Sequence, residues 1–169
     1  DCKVLRAHTP PKKFNYAKLI NEGVRHVNTP LFIQLNNDVE ATEKGWVEDM
    51  VGWLSFPRAK VVGARLLYPS GKIQHAGVIV GANGGLADHQ FHNLPSEDVS
   101  YLGLSNAART VSAVTGACML VATNYFREMG GLDESSFAVE YNDVDFCLRV
   151  SKSGGLVIYT PQATLTHLT

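Results

Sequence analysis

Three side chains with useful chemistry stand at the ends of regular-looking stretches that lie far apart in the chain. Asp38 closes Leu31-Phe32-Ile33-Gln34-Leu35-Asn36-Asn37-Asp38, an apolar run that stops in polar residues. Asp143 opens a second acidic stretch, Asn142-Asp143-Val144-Asp145, and His167 follows the apolar segment that begins at Leu156. Carboxylates bind hard divalent cations, and neutral imidazole suits the softer ones. A separate carboxylate can take the proton of an attacking hydroxyl. Two carboxylates and an imidazole thus suffice for a metal-plus-base site, if the fold brings them to one cleft. Each has a plainer reading as well. Asn and Asp are ordinary turn residues, an Asp at a helix start is stabilising without catalysis, and a histidine near a frayed end is often only solvated.

Periodicity outlines the elements that must position them. Asn15 caps a helix in which Tyr16, Leu19, Ile20, Gly23, Val24 and Val27 recur at helical spacing, and Asn28-Thr29-Pro30 ends it. Leu31 to Leu35 reads as a buried strand. Trp46, Val47, Met50, Val51 and Leu54 mark an amphipathic helix that Pro57 stops. Val61 to Tyr68 is a strand, Pro69-Ser70-Gly71-Lys72 a turn, and Ile73 to Val80 a returning paired strand. Periodicity fades from Gly81 to Arg109, and a connection that long is usually a functional loop or a lid. Beyond it, Val111 to Ala122 is apolar, and Thr123 or Asn124 caps a short helix ending at Gly130-Gly131. Asn142 caps a helix from Asp143 to Ser153. Leu156 to Tyr159, Ala163 to His167 and, near the start, Lys3 to Ala7 are extended. Trp46, Met50, Trp53 and Phe126 read as core, and Gly77 and Gly116 as points of close backbone approach.

Strands alternating with helices predict an α/β sandwich around a mixed, mostly parallel sheet with an antiparallel excursion in the middle. In such sheets ligands bind at the carboxyl ends of the strands, which is where Asp38 falls. At 169 residues the chain is expected to form a single domain, 1–169. Its net charge of −1 gives no electrostatic case for nucleic acid. No apolar stretch approaches the roughly 20 residues of a membrane span, and Asp1-Cys2-Lys3 does not read as a signal peptide. Cys2, Cys118 and Cys147 are too widely spaced for a zinc site and read as reduced thiols of a cytoplasmic protein, the last two in the core.

The segments Phe14-Asn15-Tyr16-Ala17, Leu35-Asn36-Asn37-Asp38-Val39-Glu40 and Gly71-Lys72-Ile73-Gln74-His75-Ala76-Gly77 are followed by Thr115-Gly116-Ala117-Cys118-Met119-Leu120 and Gly131-Leu132-Asp133-Glu134. Asp143-Val144-Asp145-Phe146-Cys147-Leu148-Arg149 and Ala163 to His167 complete the series. In this order they resemble the inverting nucleotide-sugar glycosyltransferases of the GT-A fold, in the bacterial O-antigen and rhamnosyltransferase-like branch of the family 2 enzymes. Two departures stand out. The strand–helix–strand unit that cradles the nucleotide base does not precede Asp1, so the resemblance implies an N-terminally truncated catalytic domain. The usual Glu-Asp pair reads Asn142-Asp143.

The resemblance implies a metal-assisted transfer of sugar from a nucleotide-diphosphate donor to a saccharide or lipid-linked acceptor hydroxyl, in bacterial cell-envelope polysaccharide biosynthesis. It leans toward a deoxythymidine-diphosphate rhamnose donor. Asp38 and His167 become ligands of Mn²⁺ or Mg²⁺. Asn36, Asn37 and Asp38 contact the donor, with Asn36 on the ribose or a coordinated water. Asp143 becomes the general base. Asp145, His75 and Arg149 bind the acceptor or support the site, although Asp145 also suits a structural pair with Arg149 four residues on. His89 and His92 either touch the acceptor or are solvated, and Arg109 meets a phosphate or solvent. The expected setting is cytoplasmic or peripheral at the inner membrane face, with a homo-oligomer covering the open sheet edge. Two other readings use the same residues: an inert sugar-binding or interaction module, and a metal-dependent phosphoesterase.

Overall fold

Asn15 begins the first helix as its sequence requires: its side chain accepts the Lys18 amide at 2.8 Å, and α1 runs Tyr16–Arg25. The computed structural model describes residues 3–8, 14–81, 84, 87–97 and 101–169. Cys2 lies outside them. After α1 come β1 (Leu31–Leu35), β2 (Val39–Ala41), α2 (Trp46–Trp53), β3 (Ala59–Leu67), β4 (Ile73–His75), β5 (Val78–Val80) and β6 (Ala87–His89). A 3₁₀ segment, Tyr101–Asn106, leads to β7 (Arg109–Thr110), β8 (Cys118–Ala122), α3 (Thr123–Glu128), α4 (Asn142–Lys152) and β9 (Leu156–His167). The main sheet has the order β1-β8-β3-β9-β2, with β4 on β3 and β7 on β9, and β5 and β6 form a separate ribbon.

The sheet is mixed, and helices cover both faces. Side chains alternate across β8: Met119 and Val121 join Val61, Tyr159, Phe126 and Phe146 beneath α1, α3 and α4, while Cys118 and Leu120 join Met50, Val62, Leu66 and Leu165 beneath α2. Burial on both faces explains why β3 is an almost unbroken apolar run. β1, β3 and β9 point the same way, as helical crossovers require. Yet β8 is inserted between β1 and β3 in the opposite sense, so β3–β9 is the one directly parallel pair among the described strands. Parallel pairing is therefore scarcer than the alternation of elements predicts.

Other local differences have physical reasons. Lys3–His8 is exposed and irregular rather than a strand. Ile73 to Val80 divides in two because Gly77 takes φ 92°, turning β5 off the sheet to pair with β6. The helix caps shift too. Tyr141, not Asn142, precedes α4, and the Asn142 amide donates to the Val139 carbonyl. Ala122 precedes α3, and the Thr123 hydroxyl donates to the Thr29 carbonyl. The two extended pieces after Gly155 are one strand, β9, whose pairing with β3 jumps from Ala64–Thr160 to Arg65–Thr164. Pro161 lies in that bulge, where no ladder donor is needed.

Among the described residues, no helix is long and apolar enough to cross a membrane. Cys118 and Cys147 are free and buried, as expected, and burial pushes each thiol up to about 12. The sheet centre leaves no spare volume at Gly63, where a Cβ would overlap the Val114 side chain. Gly63→Ala is expected to destabilise the fold by about 1–3 kcal/mol through overpacking. Urea unfolding will read this as a lowered midpoint, and an unchanged midpoint would show that Val114 yields freely.

Candidate active site

The pairing of β2 with β9 sets Val39 opposite His167, and the Leu168 amide donates to the Asp38 carbonyl at 2.9 Å. This ladder brings residues 38 and 167 together from opposite ends of the chain. His167 Nε2 lies 3.1 Å from Asp38 Oδ1, and its Nδ1 lies 2.6 Å from Gln74 Oε1. Gln74 is held in that orientation by its amide nitrogen, which donates to the Thr169 carbonyl at 3.4 Å. A ring nitrogen facing a carbonyl oxygen must carry the proton, so Nδ1 donates to Gln74. Nε2 faces a carboxylate oxygen at hydrogen-bond distance. A proton on Nε2 holds such a pair together, and a cation beside the two atoms can take the same place. One oxygen and one nitrogen donor suit a divalent cation that completes its shell with phosphates and water. Among the described residues, no cluster of three or more His, Cys, Asp or Glu side chains could hold an ion, so this pair would have to share its cation with a ligand.

Asp143 lies in the first turn of α4. Its Oδ2 accepts the Gly116 amide at 2.7 Å and its Oδ1 accepts the Val144 amide at 2.8 Å, fixing the carboxylate plane. The Gly116 carbonyl accepts Gln34 Nε2 at 2.8 Å and the Tyr16 hydroxyl at 3.3 Å. Tyr16 also accepts from Gln34 Nε2 at 3.0 Å and donates to Asn36 Oδ1 at 2.8 Å, while the Asn36 amide donates to the Ala117 carbonyl. A continuous hydrogen-bonded path thus runs from the residues before Asp38 to Asp143. Tyr16 feels both ends. Burial pushes its phenol up to about 12 against the lowering effect of the Gln34 hydrogen bond, and the charges of Asp143 and Asp38 add to the rise. A Cβ on Gly116 would collide with Gln34 Nε2, so a side chain there would displace the Gln34 amide from its hydrogen bonds.

Tyr16 and Gln34 do not stand out in the sequence as site residues, since Tyr16 fits an apolar helix face. The available signal is Gln34, a polar residue inside an apolar strand, 3% exposed, whose Oε1 is buried with no hydrogen-bond partner. Asn37 is exposed beside Asp38. Asp145 pairs with Arg149 at 2.8 Å, and Arg149 donates to the Met129 and Gly131 carbonyls, so the two brace α4 against the turn after α3. His75 is fully buried and shares a 2.8 Å contact with His89. His92 is exposed and meets the Tyr68 hydroxyl at 2.8 Å. Arg109 is no solvent-facing side chain. Its Nη2 donates to the Ala76 carbonyl and to Gln90 Oε1, it lies over the Tyr159 ring at 4.7 Å, and its Nη1 is buried without a hydrogen-bond partner.

No family model matches the chain. It is 38% identical over 165 residues to an uncharacterised protein, y4gI, of Sinorhizobium fredii, covering 98% of this chain and 18% of that protein. It is 36% identical over 155 residues to the O-antigen biosynthesis protein RfbC of Myxococcus xanthus, covering 91% of this chain and 12% of that protein. The chain therefore spans less than a fifth of the length of either relative. In structure it is similar to GalNAc-T7, solved with UDP, GalNAc and Mn²⁺, at a TM-score of 0.71 and 13% identity, over 95% of this chain and 31% of that one. The fold is that of the GT-A glycosyltransferases, and in sequence the chain is similar to the O-antigen biosynthesis protein over most of its own length.

The buried histidines carry a pH signature. Burial lowers His75 well below its usual range, with His89 and Arg109 adding to the effect; burial likewise lowers His89, against the opposing charge of Asp143. Both rings are neutral when folded, whereas the unfolded chain binds protons on them below 6.5. Stability is therefore complete above that pH and is lost as pH falls toward the folded values, by at most about 1.4 kcal/mol per pH unit per ring. Urea midpoints measured from about pH 8 to about pH 5 are expected to hold level and then decline. A midpoint that rises on acidification would contradict neutral, buried rings.

Proposed function

We propose that residues 1–169 form one catalytic domain of an inverting glycosyltransferase, which moves a sugar from a nucleotide-diphosphate donor to a hydroxyl of a saccharide or lipid-linked acceptor. The observations that support this reading are the contact of Asp38 with His167 at 3.1 Å and a hydrogen-bonded path that starts at Asn36, two residues before Asp38, and ends at the Gly116 peptide that holds Asp143. The names of RfbC, an O-antigen biosynthesis protein, and of GalNAc-T7, solved with UDP and Mn²⁺, support it.

Asp38 and His167 would hold Mn²⁺ or Mg²⁺, with Gln74 orienting the imidazole. A divalent cation held there would supply neutralisation of the charge on the leaving diphosphate. Asn36, whose side-chain oxygen accepts the Tyr16 hydroxyl, would contact the donor ribose or a coordinated water. Asp143 receives the proton of the acceptor hydroxyl as its oxygen bonds to C1 and the C1–O bond to the diphosphate breaks. Attack opposite the leaving group inverts the anomeric centre. The amides of Gly116 and Val144 hold the carboxylate while leaving each oxygen a further lone pair for the incoming proton.

Calorimetric titration with UDP, GDP or dTDP is expected to show binding that needs Mn²⁺ and is lost in Asp38→Asn and His167→Ala. Asp143→Asn should keep that binding within a few-fold and lower transfer by about 10²–10⁴-fold. Transfer at the parent rate in Asp143→Asn would remove the assignment of the base. Nucleotide binding indifferent to the cation would remove the metal pair, and hydrolysis without any acceptor dependence would favour a phosphoesterase.

A further inference from the structure

His89 Nδ1 lies 2.8 Å from His75 Nδ1, with the rings at 87° and their centroids 5.0 Å apart. Two ring nitrogens can share one hydrogen bond only when one of them carries the proton, and His75 decides which. Its Nε2 receives the Gly77 amide at 3.3 Å and the Thr115 amide at 3.4 Å. Both are donors, so Nε2 must be unprotonated, and a neutral imidazole then carries its proton on Nδ1. His75 is 0% exposed, and an added charge there would meet burial and Arg109 together. His75 therefore donates and His89 Nδ1 accepts. The remaining proton of neutral His89 sits on Nε2, on the side of the ring turned away from the buried partner.

The placement of this ring is tied to the base. Consecutive amides hold the two groups: Thr115 N is directed at His75, and Gly116 N at Asp143. The β5–β6 ribbon sets His89 opposite Val78, and Val78 is anchored to the Ala113 carbonyl just before those amides. The charges that act on His89 are those of Asp143, His92 and Asp88. His89 is half-buried, is held against His75, and feels the Asp143 charge, so its single N–H of fixed tautomer lies in the same region as the proposed base.

We propose that His89 binds the saccharide acceptor, donating from Nε2–H to an oxygen of the sugar whose hydroxyl faces Asp143, and that His75 is the positioning residue that fixes this polarity. The proposal rests on the glycosyltransferase reading above and adds to it a donor-only contact on the acceptor. An imidazole with a free tautomer could offer either a donor or an acceptor, but this one offers a donor alone. It selects a lone pair on the sugar and leaves the attacking hydroxyl free to give its proton to Asp143.

The test uses ¹⁵N-labelled chain with UDP and Mg²⁺. Long-range ¹H–¹⁵N spectra are expected to show His75 as the Nδ1–H form and His89 as the Nε2–H form, and titration with methyl glycosides should shift the His89 Nε2–H signal. The opposite His89 tautomer, or a signal that no methyl glycoside moves, overturns the proposal. In transfer assays His89→Leu should raise the acceptor KM by about 10-fold or more, the loss of one hydrogen bond, with the donor KM unchanged and His89→Gln recovering part of it. A rise confined to the donor KM overturns the acceptor assignment. His75→Asn, which keeps a donor near the position of Nδ1, should preserve the His89 tautomer, and His75→Leu should lose it; an unchanged tautomer in both refutes the positioning role. If the parent chain binds no UDP with metal but its His89 signal still moves with methyl glycosides, the transferase reading fails while the saccharide contact stands.

Discussion

Gly116 is the residue on which the rest of the site depends. Its amide holds Asp143 and its carbonyl receives Gln34 and Tyr16, so Asp143 and the network that leads to Asn36 are set against the two polar groups of one residue. A side chain there would push aside the amide of Gln34, which already fills the place of a Cβ. Backbone groups are well suited to this task, since they have no rotamers to lose and their orientation is set by β8, which begins two residues later.

The second anchoring device is the end of β9. A strand of this length carries its last residues beyond the core to the sheet rim, where β2 pairs with it and Gln74 of β4 reaches across to it. The bulge at Pro161 matters here because it changes the register between β3 and β9 before the strand reaches Leu165 and His167. A slip of one residue would turn His167 to the opposite face of the sheet. The Asp38–His167 pair is thus a product of strand pairing rather than of local turn chemistry.

Around this frame, the polar groups beneath the loop region are kept neutral or covered. His75 sits against Tyr159, and Arg109 lies between Tyr159 and Phe91 with its fork shared between a carbonyl and Gln90. Among the described residues no carboxylate forms an ion pair with Arg109. A guanidinium placed this way disfavours charge on the neighbouring imidazole, and a neutral imidazole has one fixed donor and one fixed acceptor. The effect is to give the floor of the loop a definite hydrogen-bond polarity.

Much of this was legible in the amino-acid order. Periodicity marked α1, β1, α2, β3 and α4 because their apolar positions answer to local geometry, and Asn15 announced the start of α1 because capping is a three-residue event. Asp38 and His167 were visible because polar residues at the ends of apolar runs lie at the rim of a sheet, and Asp143 because it stands in the first turn of a helix. Other features were beyond the reach of local pattern. Tyr16 looks like any aromatic on an amphipathic helix until Gln34 and Asn36 are brought to its hydroxyl. The insertion of β8 between β1 and β3, the departure of β5 from the sheet and the partial burial of Arg109 each arise from contacts between distant segments. The sequence determined which groups were available and on which face of its element each would lie, because side-chain direction repeats with the local backbone. Only the tertiary structure decided which of them meet, because hydrogen-bond partners more than a hundred residues apart are chosen by strand register and packing.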